Sequence, residues 1–160
     1  MTGWFVWNWA QPVTYSWGGN VFIENNRVYY GNQQVATVEE FAQQAAELAT
    51  SAPEVEADEV EWMALGVFAL VNMEGGDPTM FIQLAVSREG IIAGTYQNTQ
   101  TDTTQSLEGM VDSETQRAAW RVVDQDWPVM ETGINNLLEE ETPVLVHFAD
   151  GQTQQWLLVA

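Results

Sequence analysis

From Trp62 onward, apolar and polar positions alternate in short runs separated by turn clusters, the runs being 62–72, 79–87, 91–98, 105–111, 116–123, 128–132, 143–149 and 153–159. Alternation with a period of two places successive side chains on opposite faces of a strand. Met80, Ile82, Leu84 and Val86 fall on one face, with Thr79, Gln83 and Ser87 between them. Leu107 with Val111, and Ala118 with Trp120 and Val122, repeat the pattern. The breaks at Arg88-Glu89-Gly90, Asp112-Ser113-Glu114 and Asp150-Gly151 are too short for a parallel crossover, so neighbouring strands should be antiparallel. The pattern predicts a mainly β chain with one helix (α+β), its body an antiparallel meander closed as a small barrel or folded as a sandwich of about eight strands.

The first part of the chain reads differently. Val21-Phe22-Ile23-Glu24 and Arg27-Val28-Tyr29-Tyr30 flank Asn25-Asn26, residues that tolerate the left-handed backbone of a two-residue hairpin turn. A second turn at Gly31-Asn32 returns the chain through Gln34-Val35-Ala36. Thr37-Val38-Glu39-Glu40 has the spacing of a capping box, so a helix should start there. Val38, Phe41, Ala45, Leu48 and Ala49 form its apolar stripe, and Pro53 limits its extent. Residues 54–61 carry five carboxylates in eight positions, which predicts an extended, solvated connector. The expected organisation is therefore 1–61, an aromatic segment with hairpin, helix and linker, followed by the β body 62–160. Residues 132–141 fit either a helical turn or a loop.

Composition narrows the partners. The chain has 160 residues, 46% hydrophobic with eight Trp, enough for a folded core. Its 23 acidic side chains face four Arg and no Lys, a formal charge of −19. Nucleic acid and anionic membrane surfaces recruit cations, so neither is an expected partner. An acidic surface repels itself, and salt screens that repulsion over ~8 Å at physiological strength, which fits a marine or otherwise saline habitat. Without Cys there are no disulfides, thiolate nucleophiles or zinc–thiolate sites. The N-terminal residues lack the basic and apolar regions of a signal peptide, and the longest apolar run, Trp62–Val71, is ten residues, against ~20 for a membrane span.

Little points to catalysis, a cofactor or a metal. His147 is the single His and sits in Pro143-Val144-Leu145-Val146-His147-Phe148, on one strand face with Leu145 and Ala149, where it reads as structural. Asp124-Gln125-Asp126 and Asp150-Gly151-Gln152 could offer oxygen ligands to calcium, but neither follows the EF-hand loop and solvated turns explain both. Gly18-Gly19 and Gly75-Gly76 lack the Lys-Ser or Lys-Thr of a phosphate loop. Trp120 and Trp156 lie in alternating strands and read as core. Trp4, Phe5, Trp7, Trp9, Tyr15 and Trp17 form an aromatic segment that is either an interaction surface or docked on the protein's own sheet.

Tyr15-Ser16-Trp17-Gly18-Gly19-Asn20, Leu65-Gly66-Val67-Phe68-Ala69-Leu70, Gly90-Ile91-Ile92-Ala93-Gly94-Thr95-Tyr96, Thr115-Gln116-Arg117-Ala118-Ala119-Trp120 and Gly151 to Val159 resemble a planctomycete family of uncharacterised cell-surface proteins, some labelled mu-protocadherin-like. The resemblance spans nearly the whole chain and implies an exported, surface-associated protein. It carries no catalytic residues. The chain lacks cadherin calcium motifs, and it has Asp112-Ser113-Glu114 where family members are Lys-rich. Three functional readings follow. The first is a noncatalytic cell-surface or periplasmic module making adhesion, matrix or assembly contacts with a protein or polysaccharide partner, or with itself, through the aromatic segment or a sheet edge. The second is a small-ligand carrier with a barrel cavity. The third is a polysaccharide hydrolase using two carboxylates. A cavity separates the first two.

Overall fold

The structure, a computed structural model, describes residue 5 and residues 21–30, 33–52, 57–71, 79–113 and 115–159. Strands β1 (Val21–Glu24), β2 (Arg27–Tyr30) and β3 (Gln33–Thr37) form a small antiparallel sheet and lead into helix α1 (Val38–Ala49). Eight further strands follow: β4 (Trp62–Val71), β5 (Met80–Ser87), β6 (Ile91–Asn98), β7 (Thr103–Val111), β8 (Arg117–Val122), β9 (Val129–Gly133), β10 (Glu141–His147) and β11 (Thr153–Val159). Each pairs antiparallel with the next, and β11 pairs with β4 to close a barrel. The choice between barrel and sandwich, open in the sequence, is settled by that last pairing, Leu157 to Val71 through Val159 to Ala69.

The local elements follow their residues closely. Asn25 and Asn26 have φ of 53° and 61°, the left-handed pair that a tight hairpin needs. Thr37 caps α1: its Oγ1 accepts the Glu40 amide at 3.1 Å, and Glu40 Oε1 accepts the Thr37 amide at 3.1 Å. At the other end Thr50 and Ser51 hydroxyls donate to the Ala46 and Leu48 carbonyls at 3.0 and 2.7 Å, taking up acceptors left over where the helix stops. Of the acidic connector, residues 54–56 lie outside the described residues, and Ala57–Glu59 make a 3₁₀ turn where an extended form was expected. Residues 134–138, ambiguous in sequence, are also a 3₁₀ turn.

Inside the barrel lie Phe68, Leu84, Ile92, Leu107, Trp120, Val144 and Leu158, all buried, from the inward positions of their strands. Eight strands leave an interior just wide enough for side chains or one small ligand. Gly109 faces Trp120 across the β7–β8 pairing, and a Cβ there would run into the Ala119 backbone oxygen and stand 2.8 Å from Trp120 Cα. The glycine thus permits the close approach of the β7 and β8 backbones at this point. One end of the barrel is stoppered by the 3₁₀ turn 134–138, which puts buried Ile134 and Leu137 into the same core. Phe5 is 5% exposed and joins this core as well.

Outside, α1 and the small sheet cover part of the barrel wall. Ala45 and Ala49 of α1 pack on outward Ala119 and Val129, small residues that let helix and wall approach closely. Val21, Val28, Ala36 and Phe41 pack on outward Leu145. Thr37→Ala should lower the unfolding free energy by about 0.5–2 kcal/mol, read from the urea midpoint. An unchanged midpoint would mean that the cap contributes nothing to this layer.

Candidate functional site

The end of the barrel opposite the 3₁₀ stopper is not filled. A cavity of about 160 Å³ opens there, and all eight barrel strands reach it. Its walls are Leu70, Met80, Val122, Met130 and Val146, with the aromatic rings of Tyr96, Phe148 and Trp156. Gln105, Gln125 and Pro128 complete it, Pro128 following a cis peptide bond from Trp127. Among the described residues, no charged side chain lines it. Apolar walls follow from strand parity, because Leu70, Val122, Met130 and Val146 occupy the same inward positions that build the core below.

Trp156 departs from the expected core role. It is only partly buried, packs against Phe148 with ring centroids 6.2 Å apart, and donates Nε1 to Gln154 Oε1 at 2.9 Å. Trp120, by contrast, is fully buried as expected, and among the described residues its Nε1 has no acceptor. A larger hollow of about 440 Å³ lies between the β1–β2 turn, the start of α1 and Asp150-Gly151. Its Arg27, Glu39 and Asp150 are exposed, so a ligand there would displace little ordered structure. The barrel mouth is the better enclosed of the two and the better suited to an apolar molecule.

A second feature was invisible in the sequence. Glu131 of β9 is fully buried, on an outward position covered by α1. Its Oε2 accepts Nε and Nη2 of Arg117 at 2.8 and 2.6 Å, and its Oε1 lies 2.6 Å from Nε2 of His147. Arg117 continues to α1, donating Nη1 to Gln44 Oε1 at 2.7 Å and Nη2 to the Phe41 carbonyl at 3.2 Å, with its guanidinium 3.8 Å above the Phe41 ring. His147 Nδ1 is 2.7 Å from Thr153 Oγ1. As a carboxylate paired with Arg117, Glu131 only accepts, so Nε2 of His147 carries the proton in that bond.

Carboxylate, imidazole and hydroxyl in a row is also the order of hydrolase triads, where it serves a nucleophile exposed in a cleft. Here α1 and Phe41 lie over the carboxylate and guanidinium, and the chain of bonds ties helix to wall. Among the described residues, no three His, Asp or Glu side chains gather as a metal site requires. No helix among them is long and apolar enough to cross a membrane.

Of the aromatic segment proposed as an interaction surface, Phe5 is buried in the barrel core, and Trp4, Trp7, Trp9, Tyr15 and Trp17 lie outside the described residues. Barrel closure leaves no free edge in the large sheet, so the described edges are β1 and β3 of the small one. Compared with family models, with curated proteins and with solved structures, the chain matches none.

Glu131→Ala would leave Arg117 buried without its counter-charge, so it should lower the unfolding free energy by about 3–5 kcal/mol in a urea titration. Arg117→Ala and Glu131→Ala together should cost clearly less than the sum of the two alone. Simple additivity would show that the two groups do not interact.

Proposed function

We propose that the protein is a noncatalytic carrier of a small, neutral, largely apolar molecule, held in the open end of its barrel. The observation that carries this reading is the 160 Å³ cavity, reached by every strand of the barrel and lined, among the described residues, by uncharged side chains. Apolar cavities of about 150 Å³ stay dry and take benzene-sized guests. A guest here would be a single ring or the end of a hydrocarbon chain, bound by area and by contact with Tyr96, Phe148 and Trp156. Toluene, titrated against the ¹⁵N-labelled protein, should give saturable shifts confined to residues around Val122, Met130 and Phe148. A dissociation constant of about 0.1–1 mM is expected, within the bounds for a ligand of that size. Val122→Phe, which fills the cavity, should abolish those shifts. No saturation in the native protein, or the same shifts in Val122→Phe, would refute the carrier reading.

An assembly role for the same chain has its own support. The outer faces of β4, β5, β6 and β11 carry no charged residue, although 27 of the 160 side chains are charged. Val67 stands 59% exposed on this wall, with half-buried Val71, Phe81, Ala85, Ala93 and Leu157 around it. Two copies each bearing −19 repel wherever their acidic surfaces meet, so an uncharged wall is where a second copy can approach. Light scattering at raised concentration should then show a dimer that Val67→Glu converts to monomer. A monomeric native protein at all concentrations would rule this out.

A further inference from the structure

We propose that the molecule carried in the barrel bears one neutral hydrogen-bonding group, a hydroxyl in the simplest case, and that the Tyr96 hydroxyl and the Gln105 carboxamide receive it together on one side of the cavity. The inference rests on the carrier reading and adds the chemistry and orientation of the guest. Tyr96 of β6 and Gln105 of β7 both line the cavity and stand directly opposite each other in the β6–β7 register. Opposed residues on one sheet face have Cβ atoms about 4.5–5.5 Å apart, so one small polar group can reach both side chains. Parity agrees with the lining: Tyr96 is also paired with buried Ile82 on β5, and Gln105 precedes buried Leu107 by two positions.

The fold does not use up either group. Tyr96 Oη accepts from Nδ2 of Asn98 at 3.5 Å, and among the described residues nothing takes its proton. Gln105 is half-buried, and among the described residues its side-chain amide makes no hydrogen bond. Leu107, the next inward position on the same strand, is apolar and part of the core. A carboxamide at the edge of such an interior loses water when a guest enters, which costs free energy unless the guest restores the bond. Few polar groups converging in an otherwise apolar cavity are what fixes a ligand's orientation.

The opposite side is apolar. In the closed order of strands, β10 and β11 lie four places round the barrel from β6 and β7. They and the residue after β10 bring Val146, Phe148 and Trp156 to the cavity, and Trp156 already donates its Nε1 to Gln154. The apolar body of the guest therefore rests against these three residues and its hydroxyl turns to β6 and β7. There the guest oxygen accepts the Tyr96 proton and its own proton goes to Gln105 Oε1, a pairing that needs no charge on either side.

Toluene and phenol test this on the full chain, since they differ by a methyl and a hydroxyl of nearly equal size. Phenol, like a tyrosine side chain, is neutral at pH 7. It should bind about fivefold more tightly than toluene, the gain expected from one net hydrogen bond. In ¹⁵N-labelled protein phenol should move the Gln105 side-chain amide signals, identified as the pair missing from Gln105→Leu, much further than toluene does. In Gln105→Leu and in Tyr96→Phe the preference for phenol should disappear while toluene binds at least half as tightly as to the native protein. The toluene affinity separates a lost hydrogen bond from a damaged cavity, and if Tyr96→Phe does not fold, Gln105→Leu decides alone. Phenol binding no tighter than toluene to the native protein, or a preference that survives either substitution, would overturn the proposed recognition while leaving the carrier reading intact. Failure of both probes to bind would instead sink the carrier reading.

Discussion

Closing eight strands on themselves fixes how much can fit inside, and that volume governs most of what this chain does with its inward positions. The middle of the barrel is taken by Trp120 and Phe68, and Gly109 lets the β7 backbone approach β8 at Trp120. The lower end is taken by Ile134 and Leu137, held in place because the Ile134 amide donates to the Gln116 carbonyl at 2.9 Å and Asn135 Nδ2 donates to Gln116 Oε1 at 2.9 Å. Thr142 Oγ1 adds a 2.6 Å bond to the Asn136 carbonyl, so the stopper's own polar backbone is satisfied where it is buried. With two layers filled, unoccupied space collects at the other end. The cavity is what remains after the sequence has placed its large side chains.

On the outer wall a different constraint operates. A helix lying on a sheet face of Ala119 and Val129 has good close packing but few features to fix its position along the wall. The Arg117–Glu131–His147 cluster supplies them, since each group has directional partners on a different element: Gln44 and Phe41 on α1, Arg117 on β8, Glu131 on β9, His147 on β10 and Thr153 on β11. Buried ion pairs seldom add net stability over well-packed apolar residues. Their use here is positional, and the stacking of Arg117 on Phe41 makes the guanidinium part of the packing as well as of the bonding.

The barrel strands were legible because inward and outward residues alternate with so little interruption, and the hairpin and cap because Asn25-Asn26 and Thr37 to Glu40 are local signals. β7 starting at Thr103 instead of 105 was missed because its first residues are polar on both faces. Glu131 was hidden for a physical reason: parity says which side of a strand a residue occupies, not whether another layer covers that side. Its partners are no easier to find, since Arg117 and Glu131 pair diagonally across strands and Gln44 is 73 positions away from Arg117. Trp156 shows the same limit in reverse. It occupies an inward position, as its alternation implies, yet lies at the barrel's unfilled end and stays partly exposed.

The distribution of charge connects these observations to function. Among the described residues, the acidic groups other than buried Glu131 sit in turns, on the helix and on outward positions, while the lining of the cavity and the wall of β4, β5, β6 and β11 hold none. A surface at −19 disfavours the approach of anions to the barrel mouth. On the proposed carrier reading, the outer field and the uncharged side chains among the described lining both favour a guest without negative charge.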